Sequence, residues 1–216
     1  MSVINQQDVL DEVVILLRNS DVLTTTVRNV TRATETIVVS VINKIVIDKP
    51  NVKNIVNITL SGVVQKGYVV NYDDNNQTSI AITASIGTTY IVTYDYGPDK
   101  IFSGYPRGDL NIDSFPRIAV EYIDMVSDAG GFGNVNKNKH DITINVYAKN
   151  TDEIRTAIHN IRTVIISNQN SLQTLPLIKP VLIGPLAPAG EFAKFKDKIF
   201  KQNIDFSGLL QYEVNN

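Results

Sequence analysis

The sequence predicts an α+β fold: an antiparallel or mixed β-sheet flanked by two helices, with an inserted all-β, sandwich-like module. Amphipathic helical patterns occur at residues 7–19 and 151–168. Between them, Val, Ile, Thr and Tyr dominate residues 24–97 in short runs separated by polar turns. Short strands at such spacing are typical of a small sandwich or barrel. We therefore predict one α+β domain, formed by residues 1–24 and 98–216, and an inserted domain at 25–97.

The two helices are predicted from apolar stripes at helical spacing. The stripe of the first helix consists of Val9, Leu10, Val13, Leu16 and Leu17. The stripe of the second helix consists of Ile154, Ala157, Ile158, Ile161 and Ile165. The second helix also begins with a capping-box pattern, in which Asn150 is the N-cap and Glu153 follows at the third helical position. We expect no helix inside the inserted module.

The strands are predicted from runs of β-branched and aromatic residues between turn signals. In the module they are residues 36–47, 56–60, 67–72, 79–84 and 89–96, with a hairpin turn at "YDDNNQ", residues 72–77. Outside it they are residues 118–123, 141–148, 177–183 and 204–213. The glycine- and asparagine-rich "SDAGGFGNVNKNK", residues 127–139, is predicted to be a long flexible loop. The strands on either side of this loop should pair antiparallel.

Composition excludes several classes of protein. Hydrophobic residues make up 43% of the 216 residues, which is enough for a core, and the net charge is −2 with no block of Lys or Arg. Electrostatic binding of nucleic acid is therefore not expected. The chain has no cysteine, so disulfides and thiolate metal sites are excluded. The N-terminus lacks a signal-peptide pattern, and no apolar run approaches the ~18 residues that a membrane span needs. We expect assembly in the cytoplasm and no membrane partner.

Catalytic patterns are also missing. The two histidines, His140 and His159, lack metal-ligand spacing and are expected to be solvated. The "GGFGN" sequence lacks the Gly-Lys-Ser/Thr of a phosphate-binding loop. Asp73 and Asp74 lie in the predicted turn, where solvation or a loosely bound cation is expected rather than acid–base catalysis. The sequence thus predicts no enzyme, no catalytic residue, no cofactor and no metal.

An aromatic-Pro-Arg triplet occurs twice, at Tyr105–Arg107 and Phe115–Arg117. In one interpretation each proline starts a strand, where its missing N–H is tolerated, and each arginine is a surface charge. In the other, the arginines bind an acidic group on a neighbouring chain through two hydrogen bonds. The loop that follows carries Phe132 among glycines, and an exposed aromatic at a flexible tip favours a contact with a partner.

The order of elements and four segments resemble the tail terminator (tail completion) proteins of long-tailed bacteriophages and related archaeal viruses. The segments are "FPRIAVEYID", "SDAGGFGNVNKNK", "HDITINVYAKNTDEIRTAIHNIRTVI" and "FKQNIDFSGLLQYEVNN". The resemblance covers roughly residues 1–20 and 100–216. The β-rich region at about 25–97 departs from the small single-domain members of that family.

The resemblance implies a structural virion protein, assembled in the host cytoplasm, that forms a homohexameric ring. Such a ring caps the tail tube, contacts the tube protein and the head-completion or neck protein, and lets genomic DNA pass without sequence readout. Alternatives are another neck or tail subunit, such as a head-closure adaptor, tube or baseplate protein, or a surface- or glycan-binding role for the β module. Candidate residues for contacts between subunits are Arg107, Phe115, Arg117, Phe132, Asn134, Lys137 and Lys139.

Overall fold

The computed structural model describes residues 6–72, 78–104, 115–129, 135–169, 172, 177–178, 181–190 and 198–213. The chain forms two compact units. The α+β unit comprises Met1–Leu23 and Lys100–Asn216, and the β unit comprises Thr24–Asp99. The predicted α+β class is confirmed, since helices combine with mixed and antiparallel sheets.

The helices among the described residues are α1 (Gln6–Asn19), α2 (Thr25–Arg28) and α3 (Thr151–Ser167). The strands up to residue 103 are β1 (Thr31–Val38), β2 (Lys44–Ile47), β3 (Val52–Leu60), β4 (Val63–Val64), β5 (Val69–Tyr72), β6 (Thr78–Ala81), β7 (Thr89–Tyr96) and β8 (Ile101–Ser103). The later strands are β9 (Arg117–Ala129), β10 (Val135–Ala148), β11 (Leu177–Ile178), β12 (Leu182–Ile183), β13 (Ala187–Pro188) and β14 (Phe200–Glu213).

The sheet of the α+β unit has the order β11-β14-β10-β9-β8, and β12 and β13 also pair with β14. The short β8 runs parallel to β9, while the other described strand pairs of this sheet are antiparallel. Strands β9, β10 and β14 form a long three-stranded ribbon that is the centre of the unit. The predicted antiparallel pairing of the two strands around the glycine-rich segment is confirmed.

Helices α1 and α3 pack on one face of this sheet, α1 against β8 and β9 and α3 against β10 and β14. Both helices form because their apolar residues share one face. The predicted stripe of α3 is buried throughout, and Asn150 caps the helix by accepting from the backbone N–H of Asp152 at 2.8 Å. In α1, Val14 is buried and Leu16 is only partly buried.

The loop predicted at residues 127–139 is much shorter in the structure. Strand β9 continues to Ala129 and β10 begins at Val135, and Asn136 to Lys139 pair with Ala129 to Val126. Residues 130–134 lie outside the described part of the chain. Asparagine and lysine lower intrinsic strand preference, but register with both β9 and β14 supplies backbone hydrogen bonds to this stretch of β10.

The β unit consists of a four-stranded sheet, β1-β7-β3-β4, and a three-stranded sheet, β2-β6-β5. The described strand pairs within both sheets are antiparallel. The apolar core of this unit is formed by Val39, Ile45, Ile47, Val52, Ile55, Ile58, Ile80, Ala84, Tyr90, Val92 and Tyr94. Because these residues alternate with polar ones along the strands, each sheet has one buried face.

Two expectations for the β unit are wrong. The segment predicted as one strand at 36–47 is two strands, β1 and β2, separated by a turn in which Asn43 has φ 57°. The unit also contains a one-turn helix, α2, where no helix was expected. Thr24 caps it by accepting from the N–H of Val27 at 3.3 Å, and Asn29 ends it in a left-handed conformation. The predicted hairpin turn falls largely on residues 73–77, which lie outside the described residues, while β5 and β6 beside it pair antiparallel.

Candidate assembly surface

The face of the ribbon opposite the helices carries polar side chains in cross-strand rows. One row runs from Glu121 on β9 through Thr143 on β10 to Asp205 on β14. The next row contains Asp124, Asp141 and Ser207 on the same three strands. Residues directly opposite each other on adjacent strands point to the same side. The two rows therefore place four carboxylates, those of Glu121, Asp124, Asp141 and Asp205, on one surface, which we call the acidic face.

Neutral groups hold two of these carboxylates in place. The hydroxyl of Thr143 donates to Asp205 at 2.6 Å, and the amide of Asn203 donates to the same carboxylate at 2.8 Å. The amide of Asn145 donates to Glu121 at 2.8 Å. Among the described residues, neither Glu121 nor Asp205 forms an ion pair with a Lys or Arg side chain.

Asp141 has a different environment. Lys139, two positions earlier on β10, places its ammonium 2.8 Å from the carboxylate, and the hydroxyl of Ser207 also donates to it. Burial acts to raise the pKa of Asp141, but these hydrogen bonds and the charge of Lys139 outweigh it and keep the pKa below its ordinary value. Asp141 therefore remains ionised at neutral pH. The chemistry of the acidic face suits recognition of positively charged groups.

The helix side of the same ribbon contains a buried polar pair. His140 lies on the core side of β10 and is almost fully buried, so the expectation that it is solvated is wrong. The hydroxyl of Tyr122 and Nδ1 of His140 are 2.6 Å apart, and the two rings meet edge to face. Burial raises the pKa of the Tyr122 hydroxyl, so the hydroxyl stays protonated. The tautomer of His140 determines which of the two groups donates. His159, in contrast, is exposed on α3 as expected.

The burial of His140 predicts a loss of stability in mild acid. Burial lowers the pKa of His140, and this outweighs the opposite effect of Asp141. As pH falls, the unfolded chain binds the proton first, near its ordinary pKa of about 6.5. The free energy of unfolding should therefore be constant above about pH 7 and decrease below about pH 6.5. Chemical denaturation at a series of pH values measures it.

Two single variants isolate this effect. His140→Gln should make the protein less dependent on pH between about pH 7 and pH 5 than the wild type, whatever it does to stability at pH 8. His159→Gln is the matched control, because its imidazole is exposed, and should leave the wild-type pH profile unchanged. An unaltered profile for His140→Gln would show that another group causes the pH dependence.

The structure buries two of the residues predicted to contact other subunits. Phe115 packs in a small apolar cluster with Ala119, Tyr147, Ala189 and Ile199. Arg117 is 1% exposed, and its guanidinium carbon lies 4.9 Å from the centre of the Phe102 ring. The interpretation of Arg117 as a surface charge is therefore wrong. That either residue contacts a neighbouring chain stays a prediction, and within one copy both stabilise the start of β9.

The remaining predicted contact residues fall into two groups. Lys139 lies in β10 beside the acidic face and pairs with Asp141. Lys137 belongs to the same strand, with its side chain outside the part that is described. Arg107, Phe132 and Asn134 lie outside the described residues. The structure thus brings the chain positions of Lys137 and Lys139 next to the acidic face and leaves the other three untested.

Sequence reasoning missed the acidic face. A signal was available, because polar side chains occur at every second position in Asp141, Thr143 and Asn145, and again in Asn203, Asp205 and Ser207. The alternation of apolar residues with these polar ones was used to predict the strand at residues 141–148, and residues 204–213 were predicted only to be extended. What the sequence lacks is the register that aligns the two polar rows with Glu121 and Asp124 on β9.

The described residues offer neither a metal site nor a membrane-spanning helix. There, no group of three His, Asp or Glu side chains is arranged to hold a metal ion. No helix in the described ranges is long and apolar enough to cross a membrane. A comparison with protein-family models finds no match for the chain, and a comparison with curated proteins finds none either.

Proposed function

We propose that this chain is a structural virion protein, a subunit of a ring that caps a viral tail tube and joins it to the head or neck. The observation that supports this proposal is the edge of strand β9 in the β9-β10-β14 ribbon, where the described residues after Val120 pair with a strand on one side only. Edges of this kind are natural sites for one chain to extend the sheet of another. The proposed partners are other copies of this chain, the tube protein and a neck protein.

The edge extends well beyond the neighbouring strand. Strand β8 pairs with β9 only from Ile118 to Val120, while β9 continues to Ala129 along β10. Among the described residues, no strand pairs with the other side of β9 after Val120. Several residues of strand backbone thus face away from the ribbon, in an element that is held by pairing with β10 and by packing against α1.

A β-bulge on this edge gives it a specific contact point. The register between β9 and β10 shifts so that Ile123 is the extra residue between Tyr122 and Asp124. The side chain of Ile123 is 58% exposed. A bulge interrupts regular pairing and bends the strand, which limits how far an added strand can extend. Such an edge can hold one neighbouring strand through one apolar anchor, and a ring forms if the rotation between the two subunits divides a full turn.

The electrostatics support the same role. The chain has a net charge of −2 and an acidic face, which disfavours sequence-independent binding to the phosphate backbone. DNA would pass through the ring without base readout. Capping would then be steric: a ring bound at the end of the tube leaves no site for a further tube subunit.

Ile123→Lys tests the proposed edge contact. Burying an isoleucine side chain contributes ~1.5–3 kcal/mol, so the charged variant should weaken self-association by roughly 10- to 100-fold. Mass measurement across a concentration series, with the tube protein added in a parallel series, gives the result. Ile166→Lys is the matched control, since Ile166 is 45% exposed on the outer side of α3 and should keep wild-type assembly.

Electron microscopy of the virion tests the function itself. The proposal expects one six-fold ring of this chain between neck and tube. A position along the tube or at the distal tip would contradict it, as would growth of the purified chain into long polymers, which is the behaviour of a tube subunit.

A further inference from the structure

The exposed aliphatic side chains of the β unit are gathered at one end of it. They belong to the three segments 38–46, 59–70 and 79–91, which we call the apolar tip. The large exposed members are Val38, Val41, Ile42, Val63, Val64, Val69, Ile86 and Ile91. Contiguous exposed apolar surface of this kind commonly marks an interaction site.

Strand register places these segments together. Val38 at the end of β1 pairs with Thr89 at the start of β7. Ile91 pairs with Thr59 of β3, which in turn pairs with Val64 of β4. In the second sheet Ala81 pairs with both Lys44 and Val69. The chain enters and leaves the unit at the opposite end, where Thr31 pairs with Tyr96.

Backbone hydrogen bonds fix the two central turns of the tip. The N–H of Val39 donates to the carbonyl of Thr88 at 2.8 Å, and the N–H of Gly87 donates to the carbonyl of Val39 at 2.9 Å. The N–H of Asn43 donates to the carbonyl of Ala84 at 2.9 Å, and the side chain of Asn43 accepts from the N–H of Ala84 at 3.0 Å. The aliphatic surface is therefore preorganised, which lowers the entropy cost of binding.

The charge of the tip identifies its partner. The three segments contain no Asp or Glu, and their only charged residues are Lys44 and Lys66, both exposed. Two such tips facing each other would bring like charges together, which disfavours tip-to-tip contact. An apolar surface with a positive rim requires a partner that combines exposed aliphatic groups with negative charge.

The acidic face of this same chain has that chemistry. The row that runs from Glu121 through Thr143 to Asp205 continues to Leu182 of β12, which pairs with Asp205 and is exposed. The next residue, Ile183, pairs with the buried Ile204 and therefore lies on the helix side of the sheet. The acidic face thus combines carboxylates with the exposed aliphatic side chain of Leu182. It complements the apolar tip in both properties.

We propose that the apolar tip of one copy docks on the acidic face of a neighbouring copy. The inference rests on the proposed ring and gives the β unit a role in it, because a contact between two different surfaces of identical subunits is head-to-tail. Contacts of this type close into rings when the rotation between subunits divides a full turn, and otherwise produce helical filaments.

Cross-linking between two single-cysteine variants tests the contact. The wild-type chain has no cysteine, so Ile42→Cys on the tip and Leu182→Cys beside the acidic face each provide a unique thiol. A short bismaleimide should give covalent dimers when the two full-length variants are mixed. Ile42→Cys mixed with Ile166→Cys is the matched control and should give none. Ile86→Cys repeats the test at a second tip position.

Charge reversal tests the proposed attraction between the lysines of the apolar tip and the carboxylates of the acidic face. Lys44→Glu combined with Lys66→Glu in the Ile42→Cys chain should lower the dimer yield several-fold, and Asp205→Lys in the Leu182→Cys partner should partly restore it. Dimers from Ile42→Cys alone would overturn the proposal in favour of tip-to-tip contact. Binding of the wild-type chain to anionic lipid vesicles without any cross-linked dimer would overturn it in favour of a membrane. Absence of both would overturn it as well.

These experiments distinguish failure of the proposed contact from failure of the proposed function. Closed rings seen by microscopy without a cross-link between tip and acidic face would retain the ring and reject this contact. A cross-link in open filaments would retain the contact and reject the terminator role.

Discussion

Arg28→Ala is expected to reduce the free energy of unfolding of the β unit by about 3–5 kcal/mol, the typical cost of breaking a buried ion pair from one side. The guanidinium of Arg28 is fully buried and binds two carboxylates. It donates to both oxygens of Asp99, at 3.0 and 2.8 Å, and to Asp95 at 2.9 Å. Removing it leaves carboxylates buried without the cation that they surround.

The two acids are not equally dependent on Arg28. Asp95 also forms an ion pair with Arg32 at 2.8 Å. Burial alone would raise the pKa of Asp95, but the hydrogen bonds from Arg32 and Arg28 outweigh it and hold the pKa below its usual range. Asp99 accepts two of the three Arg28 hydrogen bonds. Most of the free energy lost in Arg28→Ala should therefore come from Asp99. Arg32→Ala should cost less than Arg28→Ala, since the Arg32 side chain is 30% exposed.

Native-state hydrogen exchange measures the effect separately in each unit. Amides of β3 and β7 should lose protection in Arg28→Ala, while amides of β10 should keep theirs. Arg155→Ala is the matched control, because its ion pair with Asp152 is largely exposed, and should change stability by less than about 1 kcal/mol. Equal protection in Arg28→Ala and the wild type would mean that the buried ion pairs contribute little to this unit.

Ile161→Ala is expected to reduce the free energy of unfolding of the α+β unit by about 2–5 kcal/mol. Ile161 is fully buried on the face of α3 that packs against the sheet. The substitution removes apolar contact area and leaves a cavity between α3 and the strands β10 and β14, which cannot fully collapse because sheet and helix are both rigid.

Ile166→Ala provides a control within the same helix. Ile166 has the same side chain and lies five residues later, but it is 45% exposed. Since alanine has the higher helix propensity, this variant should stay within about 0.5 kcal/mol of the wild type. Urea denaturation of both variants gives the comparison. Similar losses in the two would contradict the assignment of the buried face of α3.

Much of the architecture was predictable because it follows from local periodicity. The stripe of Ile154, Ile158, Ile161 and Ile165 determines α3, and the alternation in residues 141–148 determines the buried side of β10. These patterns depend only on the repeat of a helix or a strand. Strand β7 was predicted at its observed bounds for the same reason.

The elements that were missed depend on contacts distant in sequence. Residues 135–139 have loop-like composition, and β9 and β14 on either side make them a strand. His140 was judged from its polar side chain, while register places it on the core side opposite Gly208. The acidic face joins residues up to 84 positions apart, from Glu121 to Asp205, and no local pattern contains such pairings.

The buried ion pair between Arg28 and Asp99 bears on how the β unit could be removed from this chain or moved to another. These residues stand near the first and last positions of the β unit, and their side chains are hydrogen-bonded to each other. The segments that lead into and out of the unit are thereby held side by side. The two ends of the β unit therefore lie close together, so its excision or transplantation would involve two neighbouring junctions.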